Sequence, residues 1–180
     1  MADYKFNTPE GQTVARHLMV ACMNSGTSSE PVWSPFGKRV ESSNMEYDWS
    51  KKTVRDILGM VWTTMEKPTI NQSFEEMPID AGDPVAIKLW NIAIKDQDAQ
   101  ALSNQDVMIA HYYTDGSGSN VGHFAERYSG CAIEVTRFGG DGGGNLMFST
   151  EVTYGGVRTL GTAVQSGDGK HTFTPATPAS

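Results

Sequence analysis

The spacing of hydrophobic and polar positions changes twice along this chain. From Arg39 to Phe74 the two kinds interleave. "KRVESSNMEYDW" mixes them, "DILGMVWTTM" is rich in β-branched and aromatic residues, and "PTINQSF" sets Ile70, Gln72 and Phe74 on one side. Such alternation predicts strands. "DWSKKTVRD", Asp48 to Asp56, has charge but no apolar face, which predicts the tip of a long hairpin or a mobile loop. At "GDPVAIKLWNIAIKDQD" the period lengthens: Ala86, Leu89, Trp90, Ala93 and Ile94 fall at i, i+3, i+4, i+7 and i+8, one apolar helical stripe. Asp83 suits the N-cap, and Pro84 suits the first helical position, where its missing N–H costs nothing. One helix packed on a sheet is predicted.

Beyond the helix the period returns to two. "DVMIAHYYT" predicts a strand, and "GHFAERYSGCAIEVTRF" a longer one with a bulge at Gly130. In "NLMFSTEVTY" Leu146, Phe148, Thr150, Val152 and Tyr154 share one face, and Gly155-Gly156 then predicts a tight hairpin turn into "VRTLGTAV". "TVARHLMVACM" near the start fits a strand or a short helix. The fold class that follows is mainly β (α+β), an antiparallel sandwich or barrel flanked by one α-helix, in a single domain over residues 1–164. Residues 165–180 end in Thr, Pro, Ala and Ser and are expected to be loosely held.

The run Gly139, Gly140, Asp141, Gly142, Gly143, Gly144 raises the question of a phosphate loop. Such a loop needs a following helix whose amides meet the phosphate. Here a strand pattern follows, no Lys-Ser or Lys-Thr is present, and Asp141 repels an anion. The run predicts a flexible β–β connection. Other constellations are equally incomplete. His111 and His123 lack a placed carboxylate or cysteine for a metal. Ser117 and Ser119 in "TDGSGSN" lack the strand–turn–helix context of a nucleophile elbow, and Glu75 and Glu76 have no environment for a paired-acid mechanism. Trp33, Trp49, Trp62 and Trp90 are too dispersed for a base-stacking platform and suit core or interface. No catalytic residue, cofactor or metal is expected.

The net charge is -7 over 180 residues, and residues 41–80 hold eight acids against four bases. A nucleic-acid grip gathers the opposite sign on one face. No stretch approaches the ~18 consecutive apolar residues of a membrane-spanning helix, and "MADYKFNTPEGQ" has no export-signal pattern. Cys22 and Cys131 are accordingly expected to be reduced and buried.

From about Tyr47 to Ala163 the assembled segments, with "DILGMVWTTMEKPTINQSFEEMPIDAGDPVAIKLW" and "HFAERYSGCAIEVTRFGGDGGGNLMFSTEVTYGGVRTLGT" at their centre, resemble the major tail tube proteins of long-tailed bacteriophages. Residues before about 40 and after Gln165 are not matched. The resemblance implies six-membered rings stacked into a hollow tube. Strands from each subunit join in an inner barrel, with the helix outside and a long loop reaching the next ring. That loop would be the stretch holding Asp48, Lys51, Lys52, Arg55 and Asp56, its bases partnering acids on the neighbour. It further implies a virion location after synthesis in the host cytoplasm. A tape measure protein would lie in the tube, tail-end proteins would cap it, and viral DNA would pass through unbound. The tube protein of type VI secretion is a similar relative. Gly139–Gly144 would be a flexible assembly loop, keeping edge strands unfixed until a ring forms. A different β-sandwich virion module, for capsid decoration or receptor binding, is the alternative, and a small hydrolase or nucleotide-binding enzyme lacks its constellation.

Overall fold

The longest strand, His123–Gly139, organises the rest. The computed structural model describes residues 4–115 and 122–176; Ser117 and Ser119 lie outside them. In chain order the strands are β1 (Lys5–Phe6), β2 (Met19–Asn24), β3 (Trp33–Pro35), β4 (Met45–Asp48), β5 (Lys52–Arg55), β6 (Val61–Thr64), β7 (Thr69–Pro78), β8 (Gln105–His111), β9 (Thr114–Asp115), β10 (His123–Gly139), β11 (Met147–Tyr154), β12 (Val157–Gln165) and β13 (His171–Pro175). The first half of β10 has β8 on one side and β12 on the other, and the ladder β10–β8–β2–β3–β13–β12 returns to β10. That ring of strands is a closed barrel. The second half of β10 leaves it and carries β11, β7 and β4 as a four-stranded extension, so nine strands form one antiparallel sheet.

Alternation explains the two cores. Met108 and Ala110 on β8 point into the barrel with Cys22, Trp33, Tyr112, Ala125 and Ala163. Val107 and Ile109 point the other way, joining Ile70, Phe74, Met77, Ile133, Phe148 and Val152 between barrel wall, extension and helix. Both thiols are free and buried, and burial pushes the Cys22 thiol up to about 12, so it stays an inert thiol at neutral pH.

Helix α1 (Pro84–Leu89) starts where expected. The Asp83 carboxylate accepts hydrogen bonds from the amides of Val85 and Ala86 at 2.9 and 3.5 Å, and Pro84 opens the first turn. Its inner face is Val85, Ala86 and Leu89. The chain then widens into a π-helical turn over Trp90–Lys95, which breaks the predicted stripe: Trp90 is exposed, and Ala93 and Ile94 are half-buried. A short α2 (Ala99–Leu102) follows. Replacing Asp83 with Ala is expected to cost about 1 kcal/mol, read as a lower denaturant midpoint with unchanged slope.

Three expectations are corrected by the pairing. Gly155-Gly156 is not a hairpin turn. Both β11 and β12 run antiparallel to β10, on the same side of it, as one strand interrupted by the two glycines opposite Gly130. Both a primed turn and a bulge demand positive φ, and Gly130 and Gly156 have φ of 111° and 70°, so the dipeptide alone does not separate them. The bulge predicted at Gly130 is present, with the register shifting between Ser129 and Cys131. Second, part of the loosely held tail is built in. His171–Pro175 pairs with β12 and meets Trp33, with His171 buried, and so closes the barrel. Third, Leu146 does not join the buried face of β11; it is exposed at the end of the glycine loop.

Candidate functional site

The four-stranded extension has two unlike faces. Register puts Ile133, Val135, Val152, Thr150, Phe148, Ile70, Gln72, Phe74 and Met45 on the side of the core. The other side carries Ala132, Glu134, Ser149, Glu151, Thr153, Asn71, Ser73, Glu46 and Asp48, with Glu75 beside Ser73 and Ser149. Apart from Ala132 it is polar, and it holds five carboxylates: Glu46, Asp48, Glu75, Glu134 and Glu151. Arg137, opposite Ser149, stands on the same face, 3.9 Å from Glu76. Glu134 and Glu151 lie directly opposite each other, an arrangement that costs rather than stabilises.

Neither edge of this extension carries a further strand among the described residues, although α2 lies beside Ala132–Val135. The ladder between β8 and β10 stops at Gln105 and Cys131, so Ala132–Gly139 has no strand on that side. Strand β4 pairs only with β7. Successive strands alternate in direction, so β4 runs opposite to β10. The free edge of β4 can therefore meet the free β10 edge of another copy as an antiparallel pair, with the acidic faces kept on one side.

Beyond Asp48 and Thr69 the chain leaves this sheet as a second hairpin, β5 and β6, which pair from Lys52–Thr64 to Arg55–Val61. Its tip is Asp56–Met60, so the predicted stretch Asp48–Asp56 is the outgoing arm and not the tip. Asp48 accepts from the Ser50 amide at 3.0 Å. Asp56 organises the turn, accepting from the amides of Leu58 and Met60 and from the Trp62 indole, all at 2.9 Å. The Trp62 hydrogen bond first, then those of Met60 and Leu58, hold its carboxyl below the ordinary carboxylate range. Arg55 donates to the Gly59 carbonyl at 3.3 Å. Lys51 and Lys52 are exposed. Of the five charged residues singled out from sequence, then, Arg55 and Asp56 build the turn, Asp48 braces the start of the arm, and the two lysines project from it.

What sequence reasoning missed is the apolar load of the same hairpin. Ile57 and Leu58 at the tip are 102% and 81% exposed, and Trp49, Val54, Met60, Val61, Trp62 and Met65 are exposed too. A cluster of this size on a protruding element marks an interaction surface. The signal was present as "DILGMVW", but an apolar run reads equally as core strand.

The glycine run connects β10 to β11 at the opposite end of the extension: Gly139 pairs with Met147, and Met147 with Pro78. A Cβ added at Gly142 or Gly143 would meet nothing within 4 Å. The expected β–β connection is there, flanked by exposed Phe138 and Leu146.

A buried polar cluster lies at the junction of β8, β10 and β12. Glu126 accepts from Arg158 Nε at 2.7 Å and from the Tyr128 hydroxyl at 2.9 Å, with His111 Nε2 at 3.3 Å. His111 Nδ1 meets the Tyr113 hydroxyl at 2.8 Å. Burial pushes the Glu126 carboxyl up, but the His111 hydrogen bond, the Arg158 charge and the Tyr128 hydroxyl outweigh it and hold it low. With its acceptor oxygens satisfied from three strands, the group ties the barrel wall together. His123 instead meets the Thr114 carbonyl, and no cluster of three or more metal-ligating side chains occurs among the described residues.

No family model and no curated protein matches the chain. Solved structures do. The chain is similar to one from the sheath-tube complex of an extracellular contractile injection system in its extended state, with TM-score 0.48 and 11% identity, over 85% of this chain and 94% of that one. It is also similar to the tube-terminating cap of the anti-feeding prophage, with TM-score 0.49 and 16% identity, over 87% and 96%. A type six secretion system protein aligns at TM-score 0.35 and 11% identity, over 86% and 88%.

Proposed function

We propose that this chain is a non-enzymatic structural subunit of a phage tail tube, in which copies join edge to edge in rings and the rings stack around a channel for DNA. One observation carries the reading: a four-stranded sheet with no further strand at either edge among the described residues, a face of five carboxylates and a buried reverse face. An open edge is a hazard for a monomer and an asset for a subunit. Joining β4 of one copy to the outer half of β10 in the next satisfies both edges and closes a ring. Six copies, the number the sequence resemblance implies, would line the channel with the acidic face.

That face has the sign a conduit requires. Non-specific DNA binding at ~10⁻⁴ to 10⁻⁶ M amounts to roughly 5 to 8 kcal/mol per unit, and a fraction of that, repeated along a tube, would pin the genome. A face on which five carboxylates outnumber the arginine, Arg137, avoids it. In this reading the particle is a long-tailed virion, assembled in the host cytoplasm around a tape measure protein and closed by tail-end proteins, and the hairpin reaches the next ring.

Negative-stain microscopy of the purified protein at raised concentration tests it. Tubes with a stained central channel are expected. Discrete compact particles at every concentration would instead favour a capsid-decorating or receptor-binding sandwich module. Lys51→Glu with Lys52→Glu is expected to shorten the tubes while leaving single rings intact. Each exposed pair contributes only about 0–1 kcal/mol, but each stacking interface repeats it. Tube lengths equal to wild type at both low and high salt would remove the two lysines from the stacking contact.

A further inference from the structure

Asp-Gly pairs occur at Asp115, Asp141 and Asp168. In such a pair the side-chain carboxyl carbon lies within reach of the next amide nitrogen, and glycine, having no side chain, leaves that nitrogen unshielded. Gly116 lies outside the described residues. The other two pairs are both exposed, yet they are held very differently. In the connection between β12 and β13 the reacting groups are all engaged. Asp168 Oδ1 accepts from the Ser166 hydroxyl and, at 3.3 Å, from the Lys170 amide, while Oδ2 lies 2.9 Å from Lys170 Nζ. The Gly169 amide donates to the Ser166 carbonyl at 2.9 Å. The Lys170 side chain first, then the Ser166 hydroxyl and the Lys170 amide, hold the Asp168 carboxyl far below the ordinary carboxylate range.

In the glycine loop between β10 and β11 the same groups are free. The Gly144 amide donates to the Asp141 main-chain carbonyl at 2.9 Å and closes the turn. The Asp141 carboxylate and the Gly142 amide have no hydrogen bond or ion pair among the described residues. Arg137 shares a crevice with Asp141, but its ion pair is with Glu76. We propose that Asp141 is a site of spontaneous covalent modification, its side chain closing on the Gly142 nitrogen to a succinimide that opens to isoaspartate, and that the fold withholds Asp168 from the same reaction. The Gly142 nitrogen attacks the carboxyl carbon of the protonated acid. The C–N bond forms, the C–OH bond breaks, and the nitrogen's proton leaves with that hydroxyl as water. One water then adds back at the main-chain carbonyl and breaks its bond to nitrogen, so the chain now runs through the side-chain carbon. The net change is an isomerisation that consumes no oxidant, reductant or partner. It adds one atom to the main chain of the loop and leaves a carboxylate on the α carbon, with charge conserved. That α-carboxylate is the group an isoaspartyl methyltransferase esterifies with the methyl of S-adenosylmethionine, and an exposed loop tip admits such an enzyme. Asp168 is slow on two counts, since its carboxyl is held ionised and its neighbour's amide is already donated. The reaction belongs to the single subunit and stands apart from the tube reading.

The test is the full chain, held folded for weeks in warm, mildly acidic buffer and then mapped by mass spectrometry. Trypsin cutting at Arg137, Arg158 and Lys170 puts Asp141 and Asp168 in separate peptides, both distinct from that of Asp115. The Asp141 peptide is expected to pass through a species lighter by one water and to split into two peaks of equal mass. One of these accepts labelled methyl from S-adenosylmethionine and an isoaspartyl methyltransferase. The Asp168 peptide is expected to stay single in the folded chain and to gain rate severalfold in denaturant. Gly142→Ala, whose methyl meets nothing within 4 Å, is expected to slow the change at Asp141 severalfold. Asp141→Glu, which would need a larger ring, is expected to abolish it, and this exposed conservative variant reports even if the first disturbs the turn. An Asp141 peptide that stays single in folded wild type, or one that still splits in Asp141→Glu, overturns the site. An Asp168 peptide that changes as fast as that of Asp141 in the folded chain, or no faster in denaturant, overturns the protection by the fold.

Discussion

Gly156→Ala is expected to be among the most destabilising single-methyl additions available in this chain. The residue sits at φ 70° in the break between β11 and β12, and a Cβ there would fall 1.8 Å from the Ser129 carbonyl oxygen and 2.7 Å from its carbon. Those atoms are backbone, so no side chain can rotate away. A non-glycine residue in the left-handed region costs about 1 kcal/mol, and forcing extra volume into a packed site typically adds about 1–3 kcal/mol. The expected loss is therefore about 2–4 kcal/mol, a large part of the roughly 5–15 kcal/mol a domain has. Gly142→Ala is the control: its Cβ meets nothing within 4 Å, and a change below about 0.5 kcal/mol is expected. Denaturant unfolding of both variants decides the matter. Equal midpoints would mean that the two glycines do not form a bulge against Gly130.

The second large effect belongs to Glu126. Its side chain is 5% exposed and that of Arg158 is 51% exposed, so removing the charge weakens the hold on a half-solvated guanidinium and replaces one acceptor oxygen with an NH2, leaving either His111 on Oε1 or Tyr128 and Arg158 on Oε2 without their acceptor. Breaking a fully buried pair costs about 3–5 kcal/mol; discounted for the solvent around Arg158, Glu126→Gln is expected to cost about 2–3 kcal/mol at neutral pH. The pH dependence has a definite sign. A carboxyl held lower in the folded chain than its ordinary 4.5 contributes stability that is complete above that value and is lost as pH falls through the folded value. Wild type is therefore expected to lose stability faster than Glu126→Gln below pH ~4.5, so the two unfolding curves converge in acid. Parallel curves down to pH ~3 would show that the carboxylate is not preferentially ionised in the folded chain.

Much of the secondary structure was legible because it depends on neighbours in the chain. Asp83-Pro84 marked the helix start through groups two and three residues away. Alternation put Phe148, Thr150, Val152 and Tyr154 on one face together with Leu146, and Ile70, Gln72 and Phe74 on another; the structure buries all of these but Leu146. Trp90 was misplaced because the π-helical turn shifts the angular phase that a regular stripe assumes. His171–Pro175 was read as a loose end because its burial depends on β3 and β12, contributed from distant parts of the chain.

The candidate site shows the same division. The hairpin's existence and its charges were readable, but its apolar exposure was not, since "DILGMVWTTM" has the composition of a buried strand and only the absence of anything packed on it reveals otherwise. The acidic face was invisible in one dimension: Glu46, Asp48, Glu75, Glu134 and Glu151 lie on four strands and share a surface only through register. By itself the sequence determined which segments extend, where the helix begins, and that positive-φ glycines punctuate the last strands, because local sterics and period settle these. Tertiary structure alone decided that Gly155-Gly156 is a bulge in one continuous strand, that two sheet edges carry no further strand among the described residues, and that apolar tip and glycine loop face opposite ways, because strand partners and their order are chosen by contacts between residues far apart in the chain.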